Sequence, residues 1–274
     1  MSLAYHYCSV ETFLNIIKNK TFFLSDPLKM NDSAELIHYL DSIDSSIWGR
    51  MNKRAGTDFK TKEVVDHIKQ FGNHTIFVGS FSKESDSLNQ WICYGDDGKG
   101  VSIEFDLSKV CNGETILEYD VNYPDCGIFS PSNPVEDMCL LDEVEQIIED
   151  NRLIDRTDQL KVFLSILLRI FAQYKDKAFK SESEVRIVYD ADQLFYKHLK
   201  DSNVLDTPLP VPLKRNFRYS SGQIIEYAEL GISGAICKVY LGPKNRMGKY
   251  DTERIIEGIY GVHISVEKSK LTYR

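Results

Sequence analysis

The sequence lacks the long apolar runs and the N-terminal leader that direct a chain to a membrane. No stretch is long enough to span a bilayer, and residues 1–6 do not form a basic head followed by an apolar segment. The six cysteines are scattered, and none forms a C-x-x-C pair, which argues against a zinc knuckle or a dithiol redox site. We therefore expect a cytoplasmic protein with reduced thiols and no membrane partner.

The chain also lacks an excess of positive charge. Lys and Arg number 33 against 41 Asp and Glu, for a formal net charge of -8. This balance disfavours a global cationic surface for phosphate backbones but leaves room for a local basic groove. With 42% hydrophobic and 27% charged residues over 274 positions, the composition is that of a globular protein with a sizeable core.

Several common catalytic motifs are missing as well. The G-D-D-G-K-G loop at residues 95–100 has neither P-loop spacing nor the final glutamate of a calcium loop, so we expect a tight turn there. There is no G-x-S-x-G elbow of a serine hydrolase, and the histidines lack metal-ligand spacing. We expect no metal ion, and the carboxylate and histidine cluster of a magnesium-dependent nuclease is missing too.

What the chain does contain is a succession of short strands with helices between them. Residues 75–82 give the clearest strand pattern, and Ser9 is placed to cap a helix. Apolar periodicity predicts two further helices, at about 135–152 and 157–177. Strands near both ends with helices inserted between them favour an α+β fold with mixed, largely antiparallel sheets. We expect one domain over residues 1–274, with a helical insertion at about 135–177.

Candidate binding residues lie on or near strand ends. His6, in the first strand, could bind a ligand hydroxyl or amide through one ring nitrogen, or could simply be satisfied within the fold. Ser80 and Ser82 end a later strand, and Trp91 and Tyr94 follow shortly after. These aromatic rings could stack on a planar ligand, or they could belong to the core while the serines cap the next turn.

The sharpest local feature is S-E-S-E-V-R at residues 181–186. In an extended backbone Glu182 and Glu184 project to one face. Two carboxylates so close repel each other unless they are solvated, paired with cations or partly protonated. Arg186 lies on that face and can neutralise one of them. This arrangement suits recognition of sugar hydroxyls and stabilisation of a developing positive charge. The alternative is that residues 181–186 form a solvated strand edge with a weak ion pair. The basic run just before them, at 175–180, is predicted to be the solvated end of a helix.

Taken in order, these segments resemble a known family. The set comprises His6-Tyr7 before a short helix, F-L-S at 23–25, N-D-x-x-E at 31–35, G-S-F-S at 79–82, W-x-x-Y at 91–94, G-V-x-I-x-F at 100–105, E-x-E-x-R at 182–186 and V-x-L-G-P at 239–243. Together they resemble DUF2971, a family of unknown function that is widespread in bacteria. That resemblance implies no particular activity.

The order of a strand histidine, a later strand serine and a Glu-x-Glu also resembles, to a lesser extent, the ADP-ribosyltransferases. This second resemblance implies a split sheet and NAD as the substrate, with Glu184 as the catalytic carboxylate that hydrogen-bonds the ribose 2′-hydroxyl. Glu182 would orient or deprotonate the acceptor. The implied NAD-binding set is His6 at the ribose or carboxamide, Ser80 or Ser82 supporting the bound conformation, Trp91 or Tyr94 stacking on nicotinamide, and Arg186.

Two functional hypotheses follow. One is ADP-ribosyl transfer from NAD to an unknown acceptor, protein or nucleic acid, in bacterial defence or stress. The other is a non-catalytic ligand- or partner-binding protein with the same fold. The first requires that His6 and Glu184 line one cleft.

Overall fold

The computed structural model describes residues 2–29, 76–111, 115–123, 171–191, 212–220 and 222–273, together with positions 49, 60, 63, 168 and 169. The described residues form ten strands: β1 Leu3–Cys8, β2 Thr21–Ser25, β3 Ile76–Ser82, β4 Val101–Asp106, β5 Ile116–Asp120, β6 Glu184–Asp190, β7 Arg215–Ser220, β8 Gln223–Gly231, β9 Ile236–Leu241 and β10 Ser265–Lys268. Their α-helices are α1 Val10–Asn19, α2 Leu88–Cys93 and α3 Lys249–Tyr260. Short 3-10 helices span Pro27–Lys29, Leu107–Lys109 and Lys177–Glu182.

The ten strands form one mixed, mostly antiparallel sheet, which confirms the predicted α+β class. The strand order is β10-β9-β4-β1-β3-β2-β8-β7. Off this path, β6 also pairs with β3, and β5 pairs with β6. Only the β9–β10 pairing is parallel among the described strands. Helix α1 buries Phe13, Ile16 and Ile17 against the sheet, and Ser9 caps it as predicted, with its hydroxyl accepting from the Thr12 amide.

The sheet divides along one edge of β3. Strand β6 pairs with β3 over seven residue pairs, from Ile76 with Asp190 to Ser82 with Glu184. The opposite edge of β3 is shared, because β1 meets it at Ser82 and β2 meets it at Val78, each through one residue pair. Strands β1 and β2 therefore separate beside residues 79–81, and the backbone there faces a gap rather than a continuous ladder.

Several predicted elements lie outside the described residues or end differently. The N-D-x-x-E segment and the helix at 135–152 lie outside the described residues. The helix predicted to reach Lys177 ends earlier: Phe171 is its last described residue, and Lys177 begins a 3-10 helix. Between them, Tyr174 makes an isolated bridge to Asn122, which ties this stretch to the chain beyond β5. The single-domain arrangement stays a prediction.

Candidate functional site

A cavity of about 460 Å³ lies where β1 and β2 separate. Strands β1, β2 and β3 and helix α1 supply much of its wall. Its size is within the range of small-molecule sites. Six of the eight residues predicted from the sequence line it, namely His6, Ser80, Ser82, Tyr94, Glu182 and Glu184.

His6 presents a neutral imidazole to this cavity. Its Nδ1 lies 3.3 Å from the Ser80 carbonyl oxygen, and the ring makes edge contacts with Phe22 and Phe81. A carbonyl oxygen can only accept, so Nδ1 carries the proton and Nε2 offers a lone pair. Burial lowers the pKa of His6 to about 4, only partly opposed by the bond to Ser80, so the ring is uncharged at neutral pH.

Glu184 is a buried carboxylate held by a guanidinium. Arg186 binds it through Nε at 2.7 Å and Nη2 at 3.1 Å, and donates through Nη1 to the carbonyls of Ala172 and Tyr174. Burial opposes ionisation of Glu184, but Arg186 and Lys175, with a smaller contribution from the nearby Ser80, outweigh it, so the pKa of Glu184 falls below its ordinary value. The carboxylate is therefore ionised at neutral pH.

Lys175 joins the two carboxylates at the base of the cavity. Its Nζ lies 2.6 Å from Glu182 Oε2 and 3.4 Å from Glu184 Oε2, and the side chain is 2% exposed. The prediction of a solvated helix end at 175–180 is therefore wrong for Lys175. Tyr94 donates its hydroxyl to Glu182 Oε1 at 2.9 Å, so both oxygens of Glu182 are fixed. Lys175 is the main residue of this site that the sequence analysis missed.

The two glutamates converge by a different route from the one predicted. Glu182 ends the 3-10 helix Lys177–Glu182 rather than lying on the strand, and Ser183 adopts a left-handed conformation with φ 46°. Strand β6 begins only at Glu184. The shared-face argument from an extended backbone was wrong for Glu182, and it is the common cation, Lys175, that draws the carboxylates together.

Three of the residues predicted to contact the ligand bind other groups of the protein instead. Trp91 is fully buried, packs on Tyr7 with the ring centroids 4.7 Å apart and donates its indole N–H to Asp86. Its ring therefore does not line the cavity. Arg186 holds Glu184 instead of lining the cavity. Ser82 lines it, but its hydroxyl donates to the Glu182 carbonyl and accepts from the Glu84 amide. Of the predicted aromatic pair, Tyr94 alone faces the cavity.

The opposite end of the cavity carries Arg218, which no sequence signal suggested. Arg218 lies on edge strand β7 and reaches inward so that Nη2 donates to the Ser25 hydroxyl at 2.9 Å. Burial of the guanidinium lowers the pKa of Arg218, although an arginine stays charged at any physiological pH. The cavity therefore has one end where two carboxylates are balanced by two cations and another that carries the guanidinium of Arg218.

A comparison with known protein families finds a match over part of the chain. Residues 90–187 match the family DUF2971, described as a protein of unknown function. The predicted resemblance is thus confirmed over this segment, which contains Tyr94, Lys175, Glu182 and Glu184 but neither His6 nor Arg218.

No curated protein and no solved structure matches the chain at a significant level. Within the part of the chain that the structure describes, no helix is long and apolar enough to cross a membrane. The same part contains no group of three or more His, Cys, Asp or Glu arranged to hold a metal ion.

Proposed function

We propose that the protein binds NAD in this cavity and transfers its ADP-ribosyl group to an acceptor. The observation that carries the proposal is that His6, Ser80 and Glu184 line one cavity beside the division of the sheet, where the Ser80 carbonyl also meets His6. A neutral acceptor nitrogen and an ionised carboxylate in one small-molecule cavity suit a ligand with a carboxamide and sugar hydroxyls.

The roles of the binding residues follow from the hydrogen-bonding positions and the ring face that they can offer a ligand. His6 Nε2 accepts a hydrogen bond from the carboxamide N–H or from a hydroxyl of the adjacent ribose. The Tyr94 ring, which is 42% exposed, is placed to cover the nicotinamide face. An ionised carboxylate has about four acceptor positions. Two of those on Glu184 bind Arg186 and one faces Lys175, which leaves one for the ribose 2′-hydroxyl.

The chemical step separates charge in a direction that this site favours. The bond between ribose C1′ and the nicotinamide nitrogen breaks with both electrons leaving on nicotinamide, so positive charge grows on the ribose. The fixed, ionised Glu184 stabilises that charge more than it stabilises the ground state. An acceptor lone pair then forms the new bond to C1′, and the acceptor proton passes to Glu182, which Tyr94 and Lys175 hold in place.

The acceptor is a protein side chain or a nucleic acid, and the setting that we propose is a defence or stress response in the bacterial cytoplasm. The free thiols of Cys8, Cys93, Cys111 and Cys237 suit a reducing compartment.

The proposal is tested by measuring nicotinamide released from NAD by the purified protein with bacterial lysate as acceptor source. We expect release by the natural protein and a loss of about 100-fold or more in Glu184→Gln, the scale seen when one electrostatic stabiliser is removed. Glu229→Gln, which removes a carboxylate paired with Lys214 on the surface, is the matched control.

Since Glu184→Gln also leaves Arg186 without its counter-charge, thermal unfolding is measured alongside activity. Ser80→Ala serves as a second variant that keeps the ion pair and should also slow release. Absence of nicotinamide release by the natural protein, or equal release by Glu184→Gln, contradicts the proposal.

A second candidate, ligand binding without turnover, is favoured by one observation. The four buried charges Lys175, Glu182, Glu184 and Arg186 are mutually paired, which makes a rigid and electrically balanced wall. Such a wall suits tight binding as well as catalysis. NAD that binds and is recovered intact supports this second function.

A further inference from the structure

Within the described part of the chain, Arg218 differs from Lys214 and Arg215 in having no acidic partner. Lys214 and Arg215, immediately before and at the start of β7, pair with Glu229 at 3.1 Å and Glu226 at 3.8 Å. Among the described residues, Arg218 makes no salt bridge, and the hydrogen bond found for it goes to the neutral hydroxyl of Ser25. The cavity thus contains a guanidinium whose charge is matched by no carboxylate of the described residues.

The surroundings of Arg218 make this unmatched charge significant. Arg218 is exposed on β7, but it lines the cavity and donates to Ser25, which is 5% exposed. A hydrogen bond from a guanidinium to an anion is stronger than one to a neutral hydroxyl, so an anion bound at this place gains a favourable contact. At the other end of the cavity, by contrast, Lys175 and Arg186 are already neutralised by two carboxylates.

The register of the strands sets the distance between the two ends. Ser25 pairs with Val78, and Ser80, which lines the cavity together with Glu184, follows two residues later on β3. At about 3.3 Å per residue the two positions are separated by roughly 7 Å along the strand. In a nucleotide, the sugar C1′ and the 5′-phosphate are set apart by the furanose ring and C5′, a span of this order.

We propose that Arg218 and Ser25 form an anion subsite that holds the diphosphate of a dinucleotide while its ribose lies at Glu184. The inference deepens the proposed function and rests on it for the identity of the ligand. Arginine binds phosphate oxygens through two parallel N–H groups, which fixes orientation as well as charge. Ser25, whose oxygen accepts from Arg218, still has its own proton to donate to a phosphate oxygen.

The test is calorimetric titration of the full chain with NAD, nicotinamide riboside and inorganic pyrophosphate. For Arg218→Gln we expect affinity for NAD and for pyrophosphate to fall about 10- to 100-fold, the worth of one charged hydrogen-bonding partner. Affinity for the riboside, which has no phosphate, is expected to stay unchanged. Arg215→Gln, the same charge change on the same strand but outside the cavity wall, should bind all three probes as the natural protein does.

Two outcomes overturn the inference: unchanged pyrophosphate and NAD binding in Arg218→Gln, or an equal loss for all three probes, which indicates a general structural role. Failure of the proposed function looks different. If pyrophosphate binds through Arg218 but NAD neither binds nor releases nicotinamide, the subsite stands and the transferase proposal falls. If NAD is consumed with the same KM by Arg218→Gln and the natural protein, the transferase stands and the subsite falls.

Discussion

His6 and Glu184, 178 positions apart in the chain, both lie beside β3: the Ser80 carbonyl oxygen lies 3.3 Å from His6 Nδ1, and Glu184 pairs with Ser82 in the β3–β6 ladder. Strand β3 makes this relationship possible, because β1 carries His6 to one edge of β3 and β6 carries Glu184 to the other. A single strand at the division of the sheet therefore positions both candidate ligand-binding groups.

Lys175→Met is expected to destabilise the protein strongly at neutral pH. Removing this buried cation leaves Glu182 and Glu184 facing each other without it, and breaking a buried ion pair typically costs about 3–5 kcal/mol in the free energy of unfolding. Protonation of a carboxylate relieves the repulsion, so the loss should shrink as pH falls toward 4. Urea unfolding at pH 7 and pH 4.5 measures both effects.

Lys180→Met is the matched control for that experiment, because Lys180 belongs to the same basic run but is exposed. A surface cation of this kind contributes little, so its replacement should change the free energy of unfolding by less than about 0.5 kcal/mol. Equal effects of the two substitutions, or no pH dependence for Lys175→Met, would contradict the buried network.

The low pKa of His6 predicts a pH dependence of stability with a defined sign. Burial lowers the pKa from 6.5 to about 4, so the unfolded chain binds more protons than the folded one between these values. The free energy of unfolding should therefore fall as pH drops from 6.5 to 4, by no more than about 3 kcal/mol from this group, and its contribution should be level above 6.5.

His6→Gln removes that contribution, so the difference in unfolding free energy between the natural protein and the variant is measured against pH. We expect the difference to change between pH 4 and 6.5 and to be constant from 6.5 to 8. A difference that does not vary across pH 4 to 6.5 shows that His6 titrates alike in both states.

Gly79 is expected to tolerate no side chain at the centre of β3. A Cβ built there lies 2.7 Å from Leu24 Cδ2 and 2.7 Å from Phe22 Cε1, so Gly79→Ala forces both core side chains to move. Overpacking of this kind costs about 1–3 kcal/mol, which thermal unfolding can detect.

Gly231→Ala is the control for Gly79, because it also lies in a strand but nothing approaches its Cβ position within 4 Å. Its melting temperature should stay close to that of the natural protein. A Gly79→Ala variant as stable as Gly231→Ala would show that the packing of Phe22 and Leu24 against β3 is loose.

Local sequence patterns predicted much of the sheet and the chemistry of one end of the site. The run at 75–82 is rich in β-branched and aromatic residues and forms β3 at Ile76–Ser82, and Ser9 caps α1. Such features depend on neighbours in the chain. His6, Ser80 and Glu184 were identified by residue type and order, and these are properties that a sequence displays directly.

The remaining features depend on contacts between distant segments. Lys175 has the local pattern of a solvated helix end, and only the approach of Glu182 and Glu184 gives it a buried place. Arg218 becomes a site residue because β8 pairs with both β2 and β7 and so brings β7 to one strand's distance from β2, which no local pattern predicts. Trp91 has the composition of a stacking platform, but its bond to Asp86 fixes it in the core.

A crystal structure with a hydrolysis-resistant NAD analogue tests the central claim most directly. We expect electron density for the analogue in the cavity at the division of the sheet, with its nicotinamide riboside beside His6 and Glu184 and its diphosphate at Arg218. An analogue bound elsewhere on the protein, or a cavity that stays empty at saturating analogue, would contradict it.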